Sequence, residues 1–315
     1  MFRKLLFTSF QEADLPTELW KRAEALTADL VRIDRDAPNY VSDAASADGI
    51  ILRLGMAADA KFQDNCPDLK YIGMLGTGYG RIDVEHARNR GIVVTNVADY
   101  STDSVAELVA GATIAEVRNL CQERERAASG DVSETSFDGR SVGALTIGVI
   151  GAGNIGSRLA RLMADGFGST VLYWSRHRRE ALESDLIKYT QLEELLGSAD
   201  VVSIHLAASG ETADFLDEAR IARLPAGAVL VNTAPNELVD LEAVKSRCRE
   251  GSLRYVMDHA DELSDSERAD LGGTPNVTIY PPIGYATREA DANKTEILIS
   301  NIETYLKGNA RNRVN

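Results

Sequence analysis

Long apolar runs are missing from this chain. No stretch approaches the roughly 18 consecutive apolar residues that a membrane-spanning helix needs. The opening residues, MFRKLLFTSFQEADL, turn polar too soon to form the apolar core of a secretory signal. Cysteine is scarce: Cys66, Cys121 and Cys248 form an odd, scattered set with no CxxC pair. That usage argues against a disulfide framework or a zinc site, so no metal is expected, and it suits a reducing compartment. Positive charge is in deficit, with Lys+Arg 34 against Asp+Glu 48, a net charge of −14 and a pI near 4.8. A chain this acidic repels a phosphate backbone or an anionic membrane surface. The expectation is a cytoplasmic protein without a nucleic-acid or membrane partner.

What is present is an ordinary globular composition, 44% hydrophobic and 26% charged over 315 residues. At roughly 150 residues per domain, that length predicts two domains or one large one. Short apolar runs alternate with helical patterns. The first series of strand-like runs is Lys4–Phe7, Val31–Ile33, Gly49–Leu52, Tyr71–Leu75 and Ile92–Asn96. Helical stretches such as Pro16–Leu30 and Asp83–Asn89, the latter stopping at Gly91, lie between them. Ser101–Gly130 reads as one long helix with a stripe of Val105, Leu108, Val109, Ala112 and Ala115, placed as a bridge between lobes. A second βα series starts at Leu145–Ile150 and continues through Thr170–Trp174, Val201–Leu206, Ala228–Asn232, Leu253–Met257 and Val277–Tyr280. A final amphipathic helix runs from Thr287 to about Lys307, with Ile297, Leu298, Ile302 and Leu306 on one side. This alternation implies parallel sheets covered on both faces. The fold class is therefore α/β, two doubly wound parallel-sheet domains joined by long helices. The boundaries are 1–100 plus 288–315 for one domain and 101–287 for the other.

The most specific stretch is ALTIGVIGAGNIGSRLARLMADGFG, a buried-strand run, then Gly151-Ala-Gly153-Asn-Ile-Gly156, then an amphipathic helix. Gly151 permits a tight turn, Gly153 lets backbone approach a pyrophosphate, and Gly156 lets the helix pack on the strand. Strand before and helix after is the context that the pattern requires. About 20 residues further on, NAD sites usually offer a carboxylate to the ribose hydroxyls. Here the strand ends in Ser175-Arg176-His177-Arg178-Arg179, three arginines and no acid. Arginine grips a 2′-phosphate by paired, charge-assisted bonds, so NADP is favoured over NAD.

Several segments in order, YIGMLGTGYGRIDVEHARNRGIVVTNV, STDSVAELVAG, GAGNIG, VVSIHLA, VLVNTAPNELVD and NVTIYPPIGYAT, closely resemble the D-isomer-specific 2-hydroxyacid dehydrogenases. The resemblance implies a discontinuous flavodoxin-like substrate domain, a Rossmann nucleotide-binding domain inserted in it, a cleft between the two and a homodimer. It implies a small carboxylate or carbonyl substrate, held near the Gly76-Thr77-Gly78 turn and by Arg53. It places Asn154, Ile155, Leu206, Thr233 and Ala234 along the dinucleotide and sets Asp258 against the nicotinamide carboxamide.

The catalytic residues do not carry over. Where the family reads N-T-A-R-G, this chain has Asn232-Thr233-Ala234-Pro235-Asn236. Where the family has its acid histidine after proline, this chain has Pro281-Pro282. Losing a general acid typically costs ~10²–10⁴-fold in rate, and losing a charge-stabilising donor about 10²–10³. Glu262 matches the glutamate that supports the histidine only across a one-residue gap. Among replacements, His259 follows Asp258 at a strand end and carries an imidazole, the side chain most often used as a proton donor, although strand alternation points it to the face opposite Asp258. His205 reads as structural or cofactor-adjacent, and His86 and His177 as surface residues. Tyr280 and Tyr285 flank the Pro-Pro segment. Arg81 and Arg288 are further anion clamps, more simply solvated. The reading favoured is an NAD(P)-dependent oxidoreductase with His259 and Glu262 as catalytic candidates and an atypical substrate or proton donor. The alternatives are a dinucleotide-binding protein without hydride transfer and a non-redox reaction around bound cofactor.

Overall fold

The computed structural model describes residues 1–135 and 137–315. The chain divides into two compact units, Met1–Tyr100 with Arg288–Asn315, and Ser101–Thr287.

The first unit carries a wholly parallel sheet of β1 (Leu5–Thr8), β2 (Leu30–Ile33), β3 (Gly49–Arg53), β4 (Tyr71–Leu75) and β5 (Val93–Thr95), in the order β2-β1-β3-β4-β5. This is the flavodoxin-like doubly wound order. Its central strands are apolar apart from Thr8 and Arg53 at their ends, because both faces are covered. Leu6, Ile50, Leu52 and Ile72 go to one core. Leu5, Phe7, Ile51 and Tyr71 go to the other, which the helix Arg288–Leu306 closes with Leu298, Ile299 and Ile302.

The second unit carries β6 (Thr146–Ile150), β7 (Thr170–Trp174), β8 (Ile187–Tyr189), β9 (Val201–Ile204), β10 (Ala228–Asn232), β11 (Leu253–Met257) and β12 (Val277–Ile279), all parallel. Their order is β12-β11-β10-β9-β6-β7-β8. From the β8 side this is the 3-2-1-4-5-6 arrangement of a dinucleotide-binding sheet with one strand added. Alternation along β10 sends Val229 and Val231 into one core and Ala228 and Leu230 into the other. The fold class expected from the sequence is the one observed.

Register decides what this sheet can display. Trp174 pairs with Ile150, Ile150 with Ile204, Ile204 with Asn232, Asn232 with Met257, and Met257 with Ile279. These residues form a single row, so the chain leaves the sheet along one edge at 151, 175, 205, 233, 258 and 280.

Three expectations need correction. The segment from Ser101 is not one helix: Thr102–Val117 and Leu120–Ala128 are separated at Arg118 and Asn119, where Asn119 takes a left-handed φ of 51°. The break is stabilised from elsewhere in the chain. Arg254 Nη1 donates to both the Glu116 carbonyl and Asn119 Oδ1, each at 2.5 Å. Nor is the first of these helices a bridge: its Ala106, Val109, Ala110 and Ala112 are buried in the core of the second unit. The helix expected over Pro16–Leu30 is only Thr17–Glu24, since Leu30 already belongs to β2. β8 was not anticipated, being a three-residue edge strand with one buried side chain, Ile187.

Replacing Arg254 with Met removes the donor that holds the helix break. The expected loss is about 1.5–3 kcal/mol, the range for a hydrogen bond from a charged group. That corresponds to a fall in Tm of roughly 3–10 °C, measurable by thermal melt. A change under about 1 °C would show that the break is held locally.

Candidate functional site

The turn after β6 separates two kinds of glycine. Gly151 has φ +98°, and a Cβ there would lie 2.5 Å from the His205 carbonyl oxygen. At Gly156 a Cβ would lie 2.0 Å from the Gly151 carbonyl oxygen. Both are required by the protein's own packing. Gly153 is different. Its φ of −73° and ψ of −162° suit any residue, and a Cβ would meet nothing within 4 Å. Nothing in the packing calls for glycine there, and the turn is left open to an approaching ligand. Gly153 caps the helix Asn154–Arg161, and Asn154 and Ile155 supply its first turn. Unpaired amides and the helix dipole make such an end favourable for an anion.

Further along the same edge, three buried side-chain oxygens have no hydrogen-bond partner: Thr233 Oγ1, Asn236 Oδ1 and Asp258 Oδ1. Buried polar atoms are normally paired, and leaving one unmade costs about 1–3 kcal/mol. The rest of this region is well bonded. Asn232 Oδ1 accepts from the Ala234 amide at 2.9 Å, and Asp258 Oδ2 accepts from the Gly284 amide at 2.8 Å. A Cβ at Gly284 would sit 2.7 Å from that oxygen, so glycine admits the contact. Burial pushes the Asp258 carboxyl above the ordinary carboxylate range, with Asp261 adding to the rise and the Gly284 amide and His259 opposing it. Ala234 is buried, and the Leu206 side chain lies beside Gly151, 3.0 Å from where a Cβ there would stand. The arrangement suits a ligand with a pyrophosphate at one end and an amide donor at the other.

At the end of β7 the basic turn is less available than its composition suggests. Arg178 is held by Glu183 through two 2.7 Å bonds and lies over the Tyr189 ring. The Arg178 guanidinium holds the Glu183 carboxyl down at about 2. Ser175 Oγ donates to the His177 carbonyl at 2.6 Å. Arg176, highly exposed, pairs at 2.8 Å with the equally exposed Glu211, a contact of little energy at the surface. Arg176 and Arg179 are therefore the arginines of this turn that remain open to an incoming anion.

In the first unit, Arg53 Nη1 pairs with Asp14 Oδ2 at 2.5 Å, and its guanidinium lies over Phe10. Arg53, Asp14, Arg288 and Lys294 line a cavity of about 490 Å³. Gly76, at φ +152°, turns the chain so that Thr77 and Gly78 are exposed. The Thr77 hydroxyl is committed to the Val97 carbonyl at 3.1 Å, so only backbone at this turn is left for a ligand. Arg81 donates to the Gly55 carbonyl at 3.2 Å.

The histidines sort by environment. Burial pushes His205 down to about 4, and its Nε2 lies 3.0 Å from Ser203 Oγ, so it is a neutral packing residue. His259 does not point away from Asp258: its Nε2 is 3.9 Å from Asp258 Oδ1 and its Nδ1 is 3.3 Å from Glu262 Oε1. Alternation fails because β11 ends at Met257, and His259 already starts the turn Ala260–Glu262. Glu262 Oε2 accepts from the Asn236 amide at 2.8 Å, and Asn236 Nδ2 donates to the His259 carbonyl at 2.7 Å. Asn236 escaped the sequence reading, its only signal being its place directly after Pro235. Burial raises the Tyr280 phenol above its ordinary range, while Tyr285 is exposed.

The family model of the D-isomer specific 2-hydroxyacid dehydrogenase NAD binding domain matches residues 110–284. A glyoxylate reductase of Thermococcus gammatolerans is 31% identical over 285 residues, covering 87% of this chain and 85% of that one. The D-lactate dehydrogenase of Aquifex aeolicus, solved with NAD and lactic acid, superposes with a TM-score of 0.82 at 28% identity, covering 96% of each chain. An acyclic imino acid reductase solved with NADPH and D-Arg gives a TM-score of 0.85 at 25% identity, covering 99% of this chain and 100% of that one.

Because burial raises the Asp258 carboxyl, the folded protein binds its proton more tightly than the unfolded chain. The resulting stability is present below the ordinary aspartate range and is lost as pH rises through the folded value. Asp258→Asn keeps an acceptor for Gly284 and removes the charge. It is expected to raise Tm at neutral pH, with the gain shrinking in acid, as melts across pH would record. A lower Tm at neutral pH would show that the carboxylate stabilises the fold.

Proposed function

Because the chain belongs to the D-isomer specific 2-hydroxyacid dehydrogenase family, we propose that it binds NADP(H) in preference to NAD(H) and reduces a small carboxylate-bearing carbonyl compound. The protein is a nicotinamide-dependent oxidoreductase acting at CH–OH or C=O. The observation that carries the proposal is the set of unpaired oxygens on Thr233, Asn236 and Asp258, on the same sheet edge as the open backbone at Gly153. These residues fit a nicotinamide dinucleotide. Gly151, Gly153 and Gly156 with the amides of Asn154 and Ile155 take the pyrophosphate. Leu206, Thr233 and Ala234 line its path, and Asp258 Oδ1 accepts from the carboxamide. Ser175 and Arg176, where a carboxylate would otherwise repel it, take a 2′-phosphate. When bound, the cofactor supplies or accepts hydride.

In the first unit the substrate carboxylate is taken by the Thr77 and Gly78 backbone and by Arg53, whose partner Asp14 must then share it. Assembly as a homodimer follows the family resemblance and is part of the proposal. A second reading is favoured by Pro235 and Pro282, which supply neither a clamping cation nor a proton. An iminium substrate arrives already protonated and polarised and needs no proton donor, so reduction of C=N is the companion hypothesis.

The test uses Gly153→Val, whose Cβ has room in the protein and whose side chain would obstruct a bound pyrophosphate. The variant is expected to keep its Tm within about 2 °C and lose at least ~100-fold in NADPH affinity by calorimetry, a penalty near 2.7 kcal/mol. Arg176→Ala should weaken NADPH by about 10-fold and leave NADH unchanged. Unaltered NADPH binding in Gly153→Val overturns the assigned site. NADPH oxidation with 2-oxo acids, with and without ammonium, separates the C=O and C=N readings. Silence with every substrate, while NADPH binds, overturns hydride transfer.

A further inference from the structure

We propose that His259 donates the proton in carbonyl reduction, with Glu262 and Asn236 as its positioning residues, so that the proton-transfer unit has moved from position 282 to the turn after β11. This rests on the oxidoreductase reading above. Proline at 282 has no transferable proton, and the other groups of this unit are poorly suited. His205 is buried and held near 4 by desolvation, and burial raises Tyr280 out of range. His259 differs from both. Its side chain is 23% exposed, so it can exchange protons with water. It is flanked by a carboxylate on its Nδ1 side, 3.3 Å from Glu262 Oε1.

That carboxylate is fixed in turn. The Asn236 amide holds Glu262 Oε2 at 2.8 Å, and Asn236 Nδ2 holds the His259 carbonyl at 2.7 Å. The three residues thus form a closed ring of contacts, and the proposal places the hydrogen of the neutral imidazole on Nδ1, towards Glu262, leaving Nε2 free. Nε2 lies 3.9 Å from Asp258 Oδ1, the unpaired oxygen assigned to the carboxamide, so the working nitrogen stands at the redox end of the site.

The step balances. As the carbonyl carbon gains hydride from reduced nicotinamide, the C=O π bond opens and its oxygen takes the Nε2 proton of the imidazolium. The product is CH–OH and a neutral imidazole, which regains its proton from solvent. In the oxidative direction neutral Nε2 accepts the hydroxyl proton.

The experiment compares the wild type with His259→Asn, Glu262→Ala and Glu262→Gln. For 2-oxo acid reduction, His259→Asn is expected to lose ~10²–10⁴-fold in kcat, the usual contribution of a general acid. Its NADPH dissociation constant should stay within threefold. Glu262→Ala should lose about 10-fold in kcat with KM little changed, and Glu262→Gln should recover part of that loss. In the protein without cofactor, long-range ¹H–¹⁵N spectra in mild alkali should show the His259 ring, identified by its absence from His259→Asn, as the Nδ1–H tautomer. In Glu262→Ala it should become a mixture. If the wild type turns over and His259→Asn keeps kcat within threefold, or if the ring is the Nε2–H tautomer, this inference fails and the oxidoreductase reading stands. If the wild type binds NADPH and reduces nothing, both fail together.

Discussion

Parallel pairing aligns strands by their carboxyl ends, and in residues 101–287 it does so in one unbroken row from Trp174 through Ile150, Ile204, Asn232 and Met257 to Ile279. The first residues to leave the sheet are then Ser175, Gly151, His205, Thr233, Asp258 and Tyr280. Residues more than 100 positions apart are brought to one edge by the pairing of the strands. A one-residue slip in any pair would send that strand's side chains to the other face. Each of β6, β9 and β10 buries alternate side chains in a different core, so a slip would exchange the side chains packed in both cores. The chemistry of the edge depends on that burial.

The edge carries polar groups that the fold alone does not satisfy. Thr233, Asn236 and Asp258 each keep an unpaired buried oxygen, and Asp258 keeps a carboxyl whose ionisation burial opposes. Each opposes stability by an amount comparable to a lost hydrogen bond. Gly153 adds a residue type that neither backbone geometry nor packing demands. Local choices that work against the fold cluster where function overrides them. Gln63 Oε1 of the first unit is also unpaired, but these four lie on the edge where the parallel strands deliver them, open to a ligand with an anionic middle and an amide head.

Most strands were legible because a doubly covered parallel strand is a short apolar run with polar flanks, and the glycine turn because strand, spacing and helix agree there. The misses share a cause: each depends on a partner distant in sequence or on where regular structure stops. Between Ala112 and Ser129 no glycine or proline marks a stop, and Arg254, far off in sequence, holds the break at Arg118 and Asn119. The SRHRR turn reads as uniformly basic until Glu183 takes Arg178 out of play. β8 is too short for its pattern to register. His259 was assigned a direction by strand alternation that no longer applies two residues past the end of β11.

Pro235 illustrates how the loss of one group and the gain of another can be one event. The resemblance puts an arginine here, and proline removes its charge. Yet proline also fixes φ, observed at −52°, and starts the 3₁₀ turn Asn236–Leu238. That turn aims the Asn236 amide at Glu262 and the Asn236 side chain at the His259 carbonyl. An arginine followed by glycine, the pair the resemblance would have here, presents no side-chain amide at 236 to brace the turn after β11. Proline followed by asparagine therefore does more than delete a clamp. It ties the end of β10 to the turn that carries His259 and Glu262.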